Sequence, residues 1–143
     1  MANFPPVESA RLASCHPYLQ DLVIAVNAET PVCVVCGWRG EQAQNYAYDT
    51  GMSGVKWPNS AHNHLDKGKN PCSVAVDLAP IDRATGEILW RDTEGFKDIA
   101  ARMEQKAGEM GYKLTHWPIT YKAHNGNSVD DLPHHQLDES EYT

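Results

Sequence analysis

Histidines and carboxylates in two separated stretches of this sequence have the types and spacing to hold a metal. The first stretch holds His62 and His64 in Ser60-Ala61-His62-Asn63-His64 and ends with Asp77 in Ser73-Val74-Ala75-Val76-Asp77-Leu78. That last run alternates. Val74, Val76 and Leu78 point to one face of an extended segment, and Ser73, Ala75 and Asp77 to the other. A carboxylate among small residues on a strand face suits a site better than a core. A histidine shortly before it can meet that carboxylate if the intervening loop folds back. Neutral imidazole and carboxylate both ligate zinc, and a catalytic zinc uses three protein ligands plus water. The best candidate for the third ligand is His134, in Asp131-Leu132-Pro133-His134-His135.

Taken in order, these segments spell Ser-x-His, Ala-x-Asp and Asp-x-x-His. The pattern resembles the zinc peptidases of the D-alanyl-D-alanine carboxypeptidase and VanX-like superfamily. It is most similar to the L-alanyl-D-glutamate peptidase branch found in bacteriophage endolysins, over about residues 12–137. The interval between His62 and Asp77 is longer than that branch usually shows. Residues 65–71 therefore read as an inserted surface loop, and the choice between His62 and His64 stays open.

The resemblance implies one Zn2+ per chain, on His62, Asp77 and His134. It implies that Asp131 accepts a proton from the attacking water and passes it to the leaving amine. Gly37-Trp38-Arg39-Gly40 is similar to a turn of the same family whose arginine faces the active site. Arg39 would hold a substrate carboxylate or an oxyanion, to which its planar fork is suited. Ser60 is placed with the substrate. His64, Cys72 and His135 are reserve ligands. The implied substrate is the short peptide of bacterial peptidoglycan. The implied fold is α+β, a small antiparallel sheet with helices packed on one side, as in the Hedgehog and DD-peptidase domains. The enzyme would build up in the host cytoplasm and reach the wall once the membrane is breached. Two alternatives stand beside this reading. One is a D-alanyl-D-alanine dipeptidase or carboxypeptidase of the same class. The other is a non-catalytic zinc module, its fourth position closed by His64, Cys72 or His135.

The whole chain fits such a protein. Its 143 residues, 41% of them hydrophobic, suit one domain with a single core, expected as a monomer. A net charge of -7 disfavours nucleic acid as a partner, because phosphate neutralisation needs clustered Lys and Arg. No apolar run approaches the roughly 20 residues of a membrane span, and no secretory signal is visible. Reduced thiols are then the default for Cys15, Cys33, Cys36 and Cys72. The tripeptide His62-Asn63-His64 matches a nuclease class only in its letters, since that class draws on separated positions.

The elements that must position these groups are readable in part. Residues 1–8 read as an extended lead-in, and Ser9 as the cap of a short helix. Leu19, Leu22, Val23 and Val26 follow helical spacing. Residues 31–36 read as a buried strand, on which Cys33 and Cys36 should face opposite ways. Residues 41–50 read as a helix ending at Gly51, and residues 88–90 as a short edge strand. Phe96, Ile99, Ala100, Met103, Ala107 and Met110 form a helical stripe, capped by Asp92 or Thr93 and closed by Gly111. Residues 112–117 read as a strand, 122–128 as a loop, and 138–143 as a mobile acidic tail.

Overall fold

A computed structural model describes residues 4–143. The fold is α+β. A central strand carries the site on one face and the core on the other. That strand is β2 (Ala75–Asp82). It pairs antiparallel with β1 (Val32–Cys36) along one edge, and with β3 (Glu87–Ile88) and β6 (His134–Gln136) along the other. A separate two-stranded ribbon joins β4 (Ile119–Lys122) to β5 (Ser128–Asp131). It delivers the chain to β6.

The alternation of β2 is the alternation expected. Val76 and Leu78 enter the core with Val74, Val32 and Val34. Against them pack α1 (Pro6–Ala13), α2 (Pro17–Glu29) and α4 (Thr93–Met110), through Leu12, Leu19, Leu22, Val23, Val26, Ile99 and Met103. Removing one of these large side chains costs about 2–5 kcal/mol, through lost transfer energy and the cavity left behind. In α4, Asp92 Oδ1 accepts from Gly95 N at 3.0 Å, and Gly111 closes the helix at φ 77°. Met110, expected on the buried stripe, is exposed.

The helix α3 (Glu41–Asp49) contributes nothing to this core cluster. Its buried Gln44 serves the site instead. Gly37 lies between β1 and α3, where a Cβ would stand 2.1 Å from the backbone oxygen of Arg11. Only glycine lets α1 approach the chain this closely, and the Gly37 carbonyl is used below.

Four expectations are corrected. Residues 1–3 of the lead-in lie outside the described residues, but α1 already begins at Pro6, so Ser9 sits inside it. Proline suits the first helical position because its missing N–H would be unpaired there anyway. Residues 112–117 form no strand. They make only an isolated bridge from Leu114 to Leu137, and Tyr112 stacks on Tyr18 instead. The tail is docked, not free. Asp138 caps a 3-10 turn (Glu139–Glu141) and donates its N–H to Lys113 O, and Tyr142 packs on the core.

The last correction concerns the two thiols of β1. Cys33 pairs with Ala79 and Val34 with Leu78, but Cys36, not Val35, pairs with Asp77. A β-bulge inserts one residue here, and an inserted residue shifts every later side chain to the other face. Cys33 and Cys36 therefore share the face of Asp77. Both are free thiols, as are Cys15 and Cys72.

Candidate metal centre

Three adjacent strands place one row of side chains across the sheet. Asp77 of β2 stands opposite Cys36 of β1 on one side and His134 of β6 on the other. Directly opposed residues share a face at close Cβ separation. A 3-10 turn (Ala61–Asn63) then lowers His62 onto this row.

That turn is fixed by a capping box. Ser60 Oγ accepts from His62 N at 3.2 Å, and Asn63 Oδ1 accepts from Ser60 N at 3.0 Å. The structure thus gives Ser60, expected at the substrate, a capping role. Asn63 Nδ2 also donates to Arg39 O at 2.9 Å, tying the turn to the loop after β1.

Both imidazoles are oriented by their far nitrogens. His62 Nδ1 donates to the Gly37 carbonyl at 2.8 Å, which turns Nε2 toward Asp77 Oδ1 at 3.2 Å. His134 Nε2 meets Gln136 Oε1 at 2.9 Å, which turns Nδ1 toward the same oxygen at 3.4 Å. Such second contacts fix the tautomer and ring angle of metal-ligating histidines. Asp77 Oδ1 is buried, yet neither nitrogen is aligned to hydrogen-bond it. Two nitrogens and an orphaned carboxylate oxygen converging without aligned hydrogen bonds suit a shared cation. The residues present therefore fit zinc. A compatible donor set also includes Cys36, since its Sγ, one His62 ring nitrogen and one Asp77 oxygen lie within 4.8 Å of one another.

The electrostatics follow from burial and from opposite charges held close together. Burial opposes the charge on His62, but Asp77 beside it outweighs this and raises its pKa to about 10. Burial likewise opposes the charge on Asp77, yet the two histidines hold its carboxyl far below the usual carboxylate range. Burial, and then the Asp77 charge, raise Asp131 above the ordinary value. Asp131 Oδ2 lies 3.9 Å from His134 Nδ1, beside the metal donors.

Arg39 reaches the site from the loop after β1. Its Nη2 is 3.7 Å from Asp77 Oδ2 and 3.5 Å from Cys36 Sγ. Its Nη1 donates to Gln44 Oε1 at 2.9 Å. Gln44 is fully buried and spends its own amide hydrogens on Ser53 Oγ and Val55 O. It is a positioning residue that α3 supplies to Arg39.

The reserve ligands stay apart from the row. His64 Nδ1 donates to Cys72 O at 2.9 Å at the base of the exposed 65–71 loop, and its ring packs on Tyr142. Cys72 contributes no donor to the row. His135 pairs with Val76, so it faces the core, opposite Asp77. Sequence reasoning does not find the Gly37 carbonyl, and it sets Cys36 aside as structural because Cys33 and Cys36 are expected on opposite faces; the spacing Cys33-x-x-Cys36 is the signal that could have kept it.

His135 carries a pH prediction. It is buried with Nε2 unpartnered, and burial, then the charge of His134, push its pKa down to about 3. An unfolded histidine titrates near 6.5. Below that pH the unfolded chain binds a proton that the native chain refuses, so stability falls with falling pH. The contribution is whole above pH ~6.5 and declines down to pH about 3. Melting temperature followed across this range should fall less steeply in His135→Phe than in the parent. Equal slopes would remove His135 as the cause.

The family profile described as phage L-alanyl-D-glutamate peptidase matches residues 3–142. Among solved structures, the chain is similar to the Serratia marcescens L-Ala D-Glu endopeptidase ChiX. The TM-score is 0.68 at 21% identity, covering 96% of this chain and 91% of that one. At this identity the likeness shows a shared fold. No curated protein matches the sequence.

Proposed function

This chain belongs to the phage L-alanyl-D-glutamate peptidase family and is a peptidoglycan peptidase; we propose that it works through one zinc ion on His62, Asp77 and His134. The observation that carries the proposal is the convergence of two anchored imidazoles on the orphaned Asp77 Oδ1. Zinc bound there supplies Lewis-acid polarisation of the scissile carbonyl and lowers the pKa of an attacking water towards ~7.

The protein's own groups do the rest. Asp131, partly exposed beside the donors, takes the proton of the attacking water and delivers it to the leaving amine. Arg39, held by Gln44, presents its remaining hydrogen-bonding capacity to a substrate oxygen or carboxylate. The described residues act as one catalytic domain, as a monomer. The protein accumulates in the host cytoplasm and meets peptidoglycan when the membrane is breached. Among the described residues no helix is long and apolar enough to cross a membrane.

Digestion of purified peptidoglycan tests the specificity. Cleavage at the L-alanyl-D-glutamate bond leaves a new amine on D-glutamate and a free carboxyl on L-alanine. Release of D-alanine instead would assign the D-alanyl-D-alanine specificity, and no new amine from zinc-loaded protein would favour a non-catalytic zinc module.

Metal loading should also release protons. Asp77 raises the pKa of His62 and so favours its protonated form before metal binds, whereas only neutral imidazole ligates zinc. Calorimetric titration at pH ~7.5, in buffers of differing ionisation enthalpy, should show about one proton or more released per zinc. Affinity should weaken as pH falls. Heats independent of buffer would contradict the assignment of His62.

A further inference from the structure

The bulge in β1 puts a sulfur where a three-ligand reading has none. Without the inserted residue, Val35 would face Asp77; with it, Cys36 does. Its Sγ stands within 4.8 Å of both a His62 nitrogen and an Asp77 oxygen. From the other edge of β2, His134 closes the row. Cys36 is partly exposed, so its thiol can shift without rebuilding a packed core. Its Sγ contacts Arg39 Nη2 at 3.5 Å, the Gly37 carbonyl at 3.5 Å and the His62 ring, all side-chain or turn groups of the site itself. Thiolate is a strong zinc donor, and a set of one Cys, two His and one Asp fills a tetrahedral site. A filled site is the signature of structural zinc, whereas catalytic zinc keeps a position open.

We infer that Cys36 is a displaceable fourth donor, whose thiolate closes the zinc site in a resting form and must leave it for turnover. The inference rests on the zinc reading above. Closing forms a zinc–sulfur bond, expels the bound water and releases the thiol proton to solvent. Opening reverses each of these: water enters, and the thiolate regains a proton. No oxidant or reductant is involved. A protein stored beside its host's metabolism would in this way keep its metal tightly bound and its chemistry muted until substrate displaces the sulfur.

X-ray absorption at the zinc edge tests this on the intact, zinc-loaded chain without reference to activity. The parent should show one sulfur at about 2.3 Å beside nitrogen and oxygen ligands. Cys36→Ser should lose that sulfur and surrender zinc to a competing chelator at least an order of magnitude faster. Cys33→Ser and Cys72→Ser should keep the sulfur, which separates Cys36 from the other nearby thiols. A parent spectrum with only nitrogen and oxygen ligands overturns the fourth donor and leaves the three-ligand centre standing. A parent that takes up no zinc overturns both.

Discussion

Asp131→Asn is expected to lower the rate of peptide hydrolysis by about two to four orders of magnitude, the usual cost of removing a general base. Zinc content and fold should hardly change. The side chain lies beside His134 without taking part in the row of donors, and asparagine keeps its size. The neighbouring Asp130 is the control. It is exposed and pairs with Thr120 in the ribbon, so Asp130→Asn should stay active. A rate for Asp131→Asn within a few-fold of the parent, at equal zinc, would take the base out of this mechanism. Loss of zinc in that variant would make Asp131 a ligand.

His62→Ala, Asp77→Ala and His134→Ala should each abolish metal retention and hydrolysis together. The loss should exceed the roughly 10–100-fold typical of removing an outer-shell partner, because each would remove a proposed direct donor. His64→Ala should keep both metal and activity, since His64 faces Cys72 and Tyr142. Metal analysis after gel filtration, beside a hydrolysis rate, reads all four. Zinc lost from His64→Ala but retained by His62→Ala would move the ligand by one turn of the loop.

Sequence and structure agree where a side-chain period of two or 3.6 meets a buried face. The alternation in β2 correctly predicted which residues enter the core and that Asp77 faces away from it. The stripe in α4 was equally plain apart from Met110, which the helix end leaves exposed. His62, Asp77 and His134 were legible as candidates through order and spacing, and the structure brings them together. Cys36 was not, because a bulge is a departure from the very periodicity used to read the strand. The contacts that aim the histidines were also invisible, since the Gly37 carbonyl is a backbone group from a distant turn. Residues 112–117 alternate like a strand yet bridge only once, for lack of a continuous partner. The acidic tail reads as mobile from its composition, but Tyr142 and the cap at Asp138 bind it down.

Zinc dependence is the centre of this account, and metal removal followed by stepwise zinc return tests it most directly. Chelated protein should retain its fold but release no new amines from purified peptidoglycan. Activity should return in proportion to zinc and saturate at about one zinc per chain, as a three-ligand centre requires. Metal-free protein that cleaves peptidoglycan at the parent's full rate would contradict the account outright.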